Sequence, residues 1–276
     1  MRKNMRTRGA SLVVTGAALA LVIAGLASRV DVAAQQAPAA PNFQTAAPID
    51  MTGVWVSVVT EDWRWRMVTP PKGDYASVPI NAEGRRVADT WDPAKDTAAG
   101  LQCRSYGAAG VMSVPARLTI AWQDTNTLKM DIDNGKQTRL FHFNDVAAPA
   151  GADAGWQGFS TAAWELFGNA RGGGGGGGGA AGGRGGPTPQ QRGGDLKVET
   201  TKMRPGYLRK NGVPYSDKAT MTEYFDRHTE PNGDQWLTVT TIVKDPLYLN
   251  GDYITSRHFK KEPDASKVRP QDCVAQ

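Results

Sequence analysis

The chain has few of the residues on which many catalytic and metal centres depend. Its 276 residues include only two cysteines and three histidines. The histidines, at positions 142, 228 and 258, lack the H-x-H or H-x-x-x-H spacing of a metal site, so we predict no metal ligand set. The G-x-S-x-G, H-E-x-x-H and phosphate-loop motifs are also missing. No catalytic signature or cofactor is therefore predicted, and whether the protein is an enzyme stays open.

The first 34 residues have the organisation of an export signal. Four basic residues lie among the first eight, the uncharged apolar run 10–27 follows, and Val32-Ala33-Ala34 offers small residues for cleavage near Ala34. We therefore expect a periplasmic or secreted protein. The alternative is that the run is retained as an anchor, and only then do we expect a membrane partner.

The excess of positive charge comes mostly from this signal. The whole chain carries a net charge of +5, and residues 35–276 carry +1. Three Arg-Gly-Gly triplets begin at Arg171, Arg184 and Arg192, a pattern also found in RNA-binding segments. Nucleic-acid binding needs a concentrated basic face, so we expect no nucleic-acid partner. We interpret the stretch at about 168–194 as a disordered glycine-rich insertion.

Cys103 and Cys273 are predicted to form a disulfide, because two cysteines outside the cytoplasm most simply pair. Such a bond closes a loop of more than a hundred residues and stabilises the fold by about 4–5 kcal/mol as an upper guide. The alternative is two separate thiols.

Alternating apolar and polar residues predict an all-β fold. After a flexible leader at 35–48, residues 49–276 are expected to form a single domain of about ten strands with one or two short helices. Asn134-Gly135 between two alternating runs is a strong hairpin signal. Most strands should follow one another as an antiparallel meander. The expected architecture is a lipocalin-like barrel or a sandwich.

The hairpin formed by 220–228 and 235–243 gives a definite register. Pairing Phe225 with Val239 aligns the apolar faces and places Glu223 and Arg227 on the inner face. An inward carboxylate is costly unless it is paired or hydrated. Glu223 therefore either meets an internal arginine or contacts a ligand in a wet cavity. A one-residue error in register would reverse the face.

The segment Glu61–Val68 alternates strictly and is predicted to be a strand. Trp63 and Trp65 would then face the core, with Arg64 and Arg66 on the other side. The arginines would lie in water or beside acidic neighbours. In the alternative, the two guanidinium groups bind an anion such as a carboxylate or phosphate.

A series of short motifs runs through most of the chain in a definite order. They are Cys103 with Gly107 and Met112-x-x-Pro115, Gln137-Thr138-Arg139, Trp164-Glu165, Leu196-x-Val198-Glu199-Thr200-Thr201, Asn211-Gly212-x-Pro214-x-Ser216, Thr222-Glu223-Tyr224 with Arg227, Thr241-Ile242 with Asp245-Pro246, and Cys273. Over Thr52–Cys273 this order resembles a group of largely uncharacterised secreted bacterial β-rich proteins. The resemblance implies that Leu166–Gly193 interrupts a tight connection, because the relatives run from Trp-Glu into Gly-Asp. It implies no activity.

Two functional classes remain. The first is a non-catalytic module that binds a small apolar or anionic ligand or associates with the cell envelope. Its candidate ligand-binding residues are Glu223, Arg227, Arg64, Arg66, Trp63 and Trp65. The second is a secreted hydrolase or isomerase that uses inward carboxylates such as Glu223 or Glu165.

Overall fold

A computed structural model describes residues 41–144, 146–148, 155–166 and 194–276. The predicted signal at 1–34, the first part of the leader and nearly all of the glycine-rich insertion lie outside the described residues. The strands are β1 Gly53–Val58, β2 Arg117–Asp124, β3 Thr127–Ile132, β4 Gln137–His142, β5 Phe159–Leu166, β6 Gly194–Thr201, β7 Gly206–Arg209, β8 Val213–Tyr215, β9 Thr220–Thr229, β10 Gln235–Lys244 and β11 Tyr253–Glu262. The helices are α1 Trp63–Met67, α2 Ala82–Ala88, α3 Pro93–Ala98 and α4 Ala108–Val111, with a 3-10 helix at Gln102–Tyr106.

Nine strands close into a barrel in the order β1-β11-β10-β9-β6-β5-β4-β3-β2. The predicted β fold is confirmed, and the architecture is a barrel rather than a sandwich. All neighbours in the barrel are antiparallel except β4 and β5, which run parallel where Phe141 lies opposite Ser160. β7 and β8 form a separate two-stranded sheet between β6 and β9.

The predicted hairpins form with the expected register. In β9 and β10, Phe225 pairs with Val239 and Glu223 pairs with Thr241. The turn between β3 and β4 places Gly135 at φ 88°, a left-handed backbone conformation that glycine adopts without a steric penalty. Glu223 therefore points into the barrel, as the apolar pattern predicts.

The barrel interior is packed with large apolar side chains. Trp55, Met130, Phe141, Phe225 and Val239, which come from five different strands, are each at most 1% exposed. Burial of an apolar side chain of this size contributes about 1.5–3 kcal/mol relative to an exposed one. This cluster is therefore the main apolar contribution to stability.

The two ends of the barrel differ. At one end, called the capped end, strands β1, β6 and β10 finish and β2 begins. The connections at this end carry the helices and strands β7 and β8; they are residues 59–116, 202–219 and 245–252. A second buried cluster lies among these connections, with Tyr75, Leu208 and Tyr215 among its members. At the opposite end, Leu166 of β5 lies directly across from Gly194 of β6. The glycine-rich insertion thus leaves and re-enters the sheet at one point.

The predicted disulfide is confirmed between Cys103 and Cys273, whose Cα atoms lie 5.1 Å apart. It ties the C-terminal tail to the 3-10 helix of the capped end. The tail is also held by the backbone, since the amide of Gln271 donates to the carbonyl of Asp133 at 2.8 Å.

The predicted strand at Glu61–Val68 is wrong. Asp62 takes a left-handed conformation with φ 52°, and the following residues form α1. One and a half helical turns are too short for the two-residue alternation to distinguish helix from strand. The faces change accordingly: Trp63 is 64% exposed, whereas Arg66 is 1% exposed.

The segment 103–115 contains most of the 3-10 helix and all of α4. The described part of the leader contains a turn, and Phe43 in it stacks on Phe143 at 5.6 Å between ring centres. Asn81 caps α2, because its side chain accepts from the amide of Gly84.

Within the described part of the chain, no helix is long and apolar enough to cross a lipid bilayer.

Candidate anion-binding site

The inward carboxylate of Glu223 is paired with Arg139 of β4. Two guanidinium nitrogens of Arg139 donate to the two carboxylate oxygens at 2.9 and 2.5 Å, and both side chains are completely buried. Arg139 also donates to the hydroxyl of Thr200 at 3.3 Å, which lies 2.8 Å from the hydroxyl of Ser160. Glu223 thus meets an internal arginine, the first of the two expected outcomes, and its oxygens are engaged.

Arg227 lies on the same inner face but nearer the opposite end of the barrel. Its Nη2 donates to Oε1 of Gln235 at 2.9 Å. Its Nε has no hydrogen-bond partner among the described residues. Arg227 is four residues from Glu223 along β9, and the hydrogen bonds of the two side chains go to different groups.

A cationic cavity lies at the capped end. Its volume is about 20 Å³, which is enough for roughly one water-sized group. Four cationic residues contribute to its wall: Arg66, Arg209, Lys210 and Arg257. Asp62 is the one carboxylate among the residues that line it. The cavity therefore combines small size with an excess of positive charge.

Arg66 is the most informative side chain of this cavity. It is 1% exposed, its Nε donates to the carbonyl of Ser113 at 3.2 Å, and its Nη1 donates to Glu61. Its Nη2 is buried and has no hydrogen-bond partner among the described residues. A buried unpaired donor on a charged group costs about 1–3 kcal/mol or more, so this nitrogen marks a position for an acceptor.

Arg257 approaches from the barrel wall. Its inward position on β11 is set by the register, in which it lies opposite Val239 of β10. Its Nε and Nη2 both donate to the hydroxyl of Ser113 at 3.2 Å, and its Nη1 lies 3.2 Å from the carboxylate of Asp62. Arg257 is therefore fixed in place with only 2% of its surface exposed.

The surroundings of Arg66 and Glu61 shift the pKa values of both groups. Burial, together with the charge of Arg257, lowers the pKa of Arg66 to about 10, so the guanidinium stays cationic at neutral pH. Burial alone would raise the pKa of Glu61. Hydrogen bonds from Thr60 and His258 and the charge of Arg66 outweigh burial and lower that pKa below its ordinary value.

Arg209 and Trp65 form another part of the wall. The guanidinium of Arg209 lies 4.7 Å from the ring centre of Trp65, and its Nη1 donates to the carbonyl of Ala76 at 2.6 Å. Arg209 ends β7, and Lys210 follows it directly. Burial lowers the pKa of Lys210. The small β7–β8 sheet thus brings two more cationic residues to the cavity.

The predicted ligand-binding residues are divided among four places. Trp65 and Arg66 line the cavity, whereas Arg64 on the same helix is exposed and pairs with Asp74 at 2.7 Å. Trp63 is exposed on α1, Glu223 lies in the barrel interior, and Arg227 lies toward the opposite end. Sequence reasoning named neither Arg257 nor Arg209.

A second cavity of about 190 Å³ lies beside β7 and β8, with Tyr207, Tyr215 and Tyr248 in its wall. The hydroxyl of Tyr215 is buried and has no hydrogen-bond partner among the described residues, whereas Tyr207, Asp96 and Arg104 bond to one another. The hydroxyl of Tyr207 donates to Asp96 at 2.7 Å, and Arg104 donates both to Asp96 at 2.8 Å and to Tyr207 at 2.9 Å. Burial and the bond to Asp96 raise the pKa of Tyr207 to about 12, so it remains a neutral donor. The group formed by Tyr207, Asp96 and Arg104 is therefore complete without a ligand.

The three histidines do not come together. His258 contacts Glu61 at 2.9 Å, His228 lies 3.5 Å from Glu230, and His142 stacks on Phe159. In the ranges that the structure describes, no group of three or more histidine, cysteine or acidic residues has the arrangement of a metal site.

Comparisons with protein-family models, with curated proteins and with solved structures find no significant match to this chain. The function is therefore inferred from the geometry of the Arg139–Glu223 pair and of the cationic cavity, together with the sequence.

Proposed function

We propose that the protein is an exported, non-catalytic module that binds a small anion at the capped end of the barrel. The observation that carries the proposal is the buried, unpaired Nη2 of Arg66, a residue that lines a cavity whose wall contains three other cationic residues. A guanidinium donor in a poorly hydrated site binds an anionic acceptor more strongly than a neutral one. The N-terminal sequence supports export, and barrel strand β11 positions Arg257 in the cavity wall.

The alternative of an enzyme with inward carboxylates has no specific support from the geometry. Glu223 is fully buried and held by Arg139 through both oxygens. Glu165, the other candidate, is 51% exposed and lies 3.8 Å from Lys197. Neither carboxylate has the free position beside a cavity that a general acid or base requires.

Anion titration of two matched variants tests this proposal. Arg66→Gln removes the buried guanidinium, whereas Arg64→Gln removes an exposed one from the same helix. Wild type and Arg64→Gln should both bind a small anion saturably, detected by calorimetry and by the fluorescence of Trp65 in the cavity wall. Arg66→Gln should lose at least tenfold in affinity, which corresponds to about 1.4 kcal/mol. Equal affinity in all three proteins would disprove the proposal.

A further inference from the structure

The short helix α1 carries its apolar side chains outward. Trp63, Met67 and Val68 are 64%, 58% and 63% exposed, whereas Arg66 on the same helix is 1% exposed. Trp63 and Met67 are four residues apart, so they lie on one face of the helix, and Val68 follows directly at its end. This is the reverse of the usual distribution, in which charged side chains are exposed and large apolar ones are buried. The outer face of α1 is therefore an apolar surface that the described residues leave open to solvent.

We propose that this face docks on an anionic phospholipid bilayer. The docking surface consists of Trp63, Met67 and Val68 together with the exposed basic residues Arg64 and Lys72. It holds the exported protein at a membrane surface also when the N-terminal run is cleaved, the case in which the sequence predicts no membrane partner. The proposal does not depend on anion binding, since none of these five residues lines the cationic cavity.

The exposed part of the segment 63–73 contains no acidic residue. Its exposed residues are apolar, basic, proline or glycine. The side chain of Asp62, on one flank, is 34% exposed and lies 3.2 Å from Arg257. The side chain of Asp74, on the other flank, is 13% exposed and pairs with Arg64, which is itself 63% exposed. Basic residues beside an exposed tryptophan match a membrane–water interface, where indole rings lie at the level of anionic headgroups.

The capped end concentrates the exposed apolar side chains of the protein. In the ranges that the structure describes, seven large apolar side chains are exposed. Six of them belong to the capped end, to the start of β11 beside it, or to the tail that the disulfide ties to it. They are Trp63, Met67, Val68, Leu247, Ile254 and Val274. The apolar surface of α1 is thus part of a wider apolar end of the barrel.

The exposed charges of the capped end are mostly positive. Its three connections carry eight exposed basic residues and four exposed acidic ones, and the acidic ones are Glu83, Asp89, Asp217 and Asp252. An anionic bilayer attracts such a surface, and salt screens the attraction. The charge of this end therefore complements an anionic lipid surface.

The fold presents α1 already formed. Arg66 anchors the helix from its inner side through hydrogen bonds to Ser113 and Glu61. A helix of five residues would not be stable alone, but here the barrel holds it, so it needs no folding on the membrane. Its outer side chains then enter the boundary between headgroups and acyl chains, which interfacial helices penetrate by about 5–10 Å. A bilayer accepts side chains from several separate loops without a matching groove.

Binding to phospholipid vesicles tests the proposal. The exported protein is titrated with vesicles of phosphatidylcholine alone, or of phosphatidylcholine and phosphatidylglycerol in equal amounts, and binding is measured by sedimentation. The wild type should bind the anionic vesicles about tenfold more tightly, and added salt should weaken that binding. Trp63→Ser/Met67→Ser should lose about tenfold in affinity for the anionic vesicles, because two apolar side chains no longer enter the bilayer. Trp236→Ser is the control and should bind like the wild type, since Trp236 is a partly exposed tryptophan at the opposite end of the barrel.

A second readout identifies the residue that enters the bilayer. Anionic vesicles with brominated acyl chains quench the fluorescence of tryptophan that reaches the acyl region, and Trp63→Phe should remove most of this quenching. The readout remains valid if the N-terminal run is retained and attaches every variant to the vesicles.

Three results would overturn the proposal. The first is quenching that is unchanged in Trp63→Phe. The second is equal quenching by brominated vesicles with and without phosphatidylglycerol, which would exclude an anionic surface as the partner. The third is a wild-type dimer that Trp63→Ser/Met67→Ser converts to a monomer, with no vesicle binding by either protein. That result would assign the outer face of α1 to a second copy of the chain.

Discussion

Arg66 and Arg257, which lie on α1 and β11, are both hydrogen-bonded to Ser113. The Nε of Arg66 donates to its carbonyl, and the Nε and Nη2 of Arg257 donate to its hydroxyl, each at 3.2 Å. One residue of the capped end thus positions two buried cations from separate elements. Like charges close together repel each other, so this arrangement requires compensation by Glu61 and Asp62.

Removal of the Ser113 hydroxyl should weaken both the fold and anion binding. Ser113→Ala leaves two donors of buried Arg257 without that acceptor, at a cost of about 1–3 kcal/mol in the free energy of unfolding. Urea unfolding and chloride titration measure the two effects. Ser105→Ala is the control, since Ser105 lines the same cavity but makes none of the hydrogen bonds of Arg257. Equal behaviour of the two variants would argue against positioning by Ser113.

Loss of the carboxylate of Glu223 should destabilise the barrel strongly. Glu223→Leu leaves the charge of Arg139 buried and uncompensated, at a cost of about 3–5 kcal/mol. Glu223→Gln should also destabilise the fold. It keeps the shape of the side chain but leaves the buried charge of Arg139 without an opposite charge. Chemical unfolding measures both variants. Glu199→Gln, an exposed site on β6, should change stability by less than about 0.5 kcal/mol.

Replacement of both partners provides the complementary test of that ion pair. In Arg139→Met/Glu223→Leu no buried charge remains, so the double variant should be more stable than Glu223→Leu alone. Stability of the single Glu223 variants equal to wild type would show that the carboxylate is exposed in solution.

Reduction of the disulfide should lower stability without abolishing the barrel. Cys103 and Cys273 are 170 residues apart in sequence, and the bond restricts the unfolded chain over that length. Cys103→Ser/Cys273→Ser should lose about 2–5 kcal/mol in urea unfolding. Intact mass after alkylation without reductant checks the bond itself, and modification of two thiols in the wild type would contradict the structure.

Stability should fall in acid through protonation of Glu61. The pKa of this group is lower in the folded protein than in the unfolded chain, so its stabilising effect is present above the ordinary glutamate pKa. The effect is lost as pH falls through the lowered folded value, when contacts with Arg66, Arg257 and His258 lose their charge. Thermal midpoints from pH 7 to pH 3 should therefore drop less in Glu61→Gln than in wild type. A parallel drop in the two proteins would assign the acid effect to other groups.

The barrel strands could be predicted from sequence because the alternation of apolar and polar residues that specifies them is a local property. Alternation over six to ten residues sets the faces of β3, β9 and β10, and Asn134-Gly135 sets the register of one hairpin. The inward position of Glu223 follows from that alternation. Its partner Arg139 does not, because β4 and β9 are separated by β5 and β6 in the barrel.

The cationic cavity was harder to predict because its residues come from distant segments. Arg66, Arg209 and Arg257 lie on α1, β7 and β11, and no short motif links them. The alternation around Arg66 suggested a strand and gave the wrong neighbours for Trp63. One signal was present in the sequence: Arg257 shares the inward face of β11 with Tyr253 and Phe259, where a cation requires a partner.

The most direct test of anion binding at Arg66 is a crystal structure of the protein grown with sodium bromide. The anomalous signal of bromide locates the ion without reference to any assumed site. A peak within hydrogen-bonding distance of Nη2 of Arg66, absent from Arg66→Gln crystals, is the predicted result. Bromide found only on the exposed surface, with Nη2 of Arg66 bonded to a protein group, would contradict the proposed function.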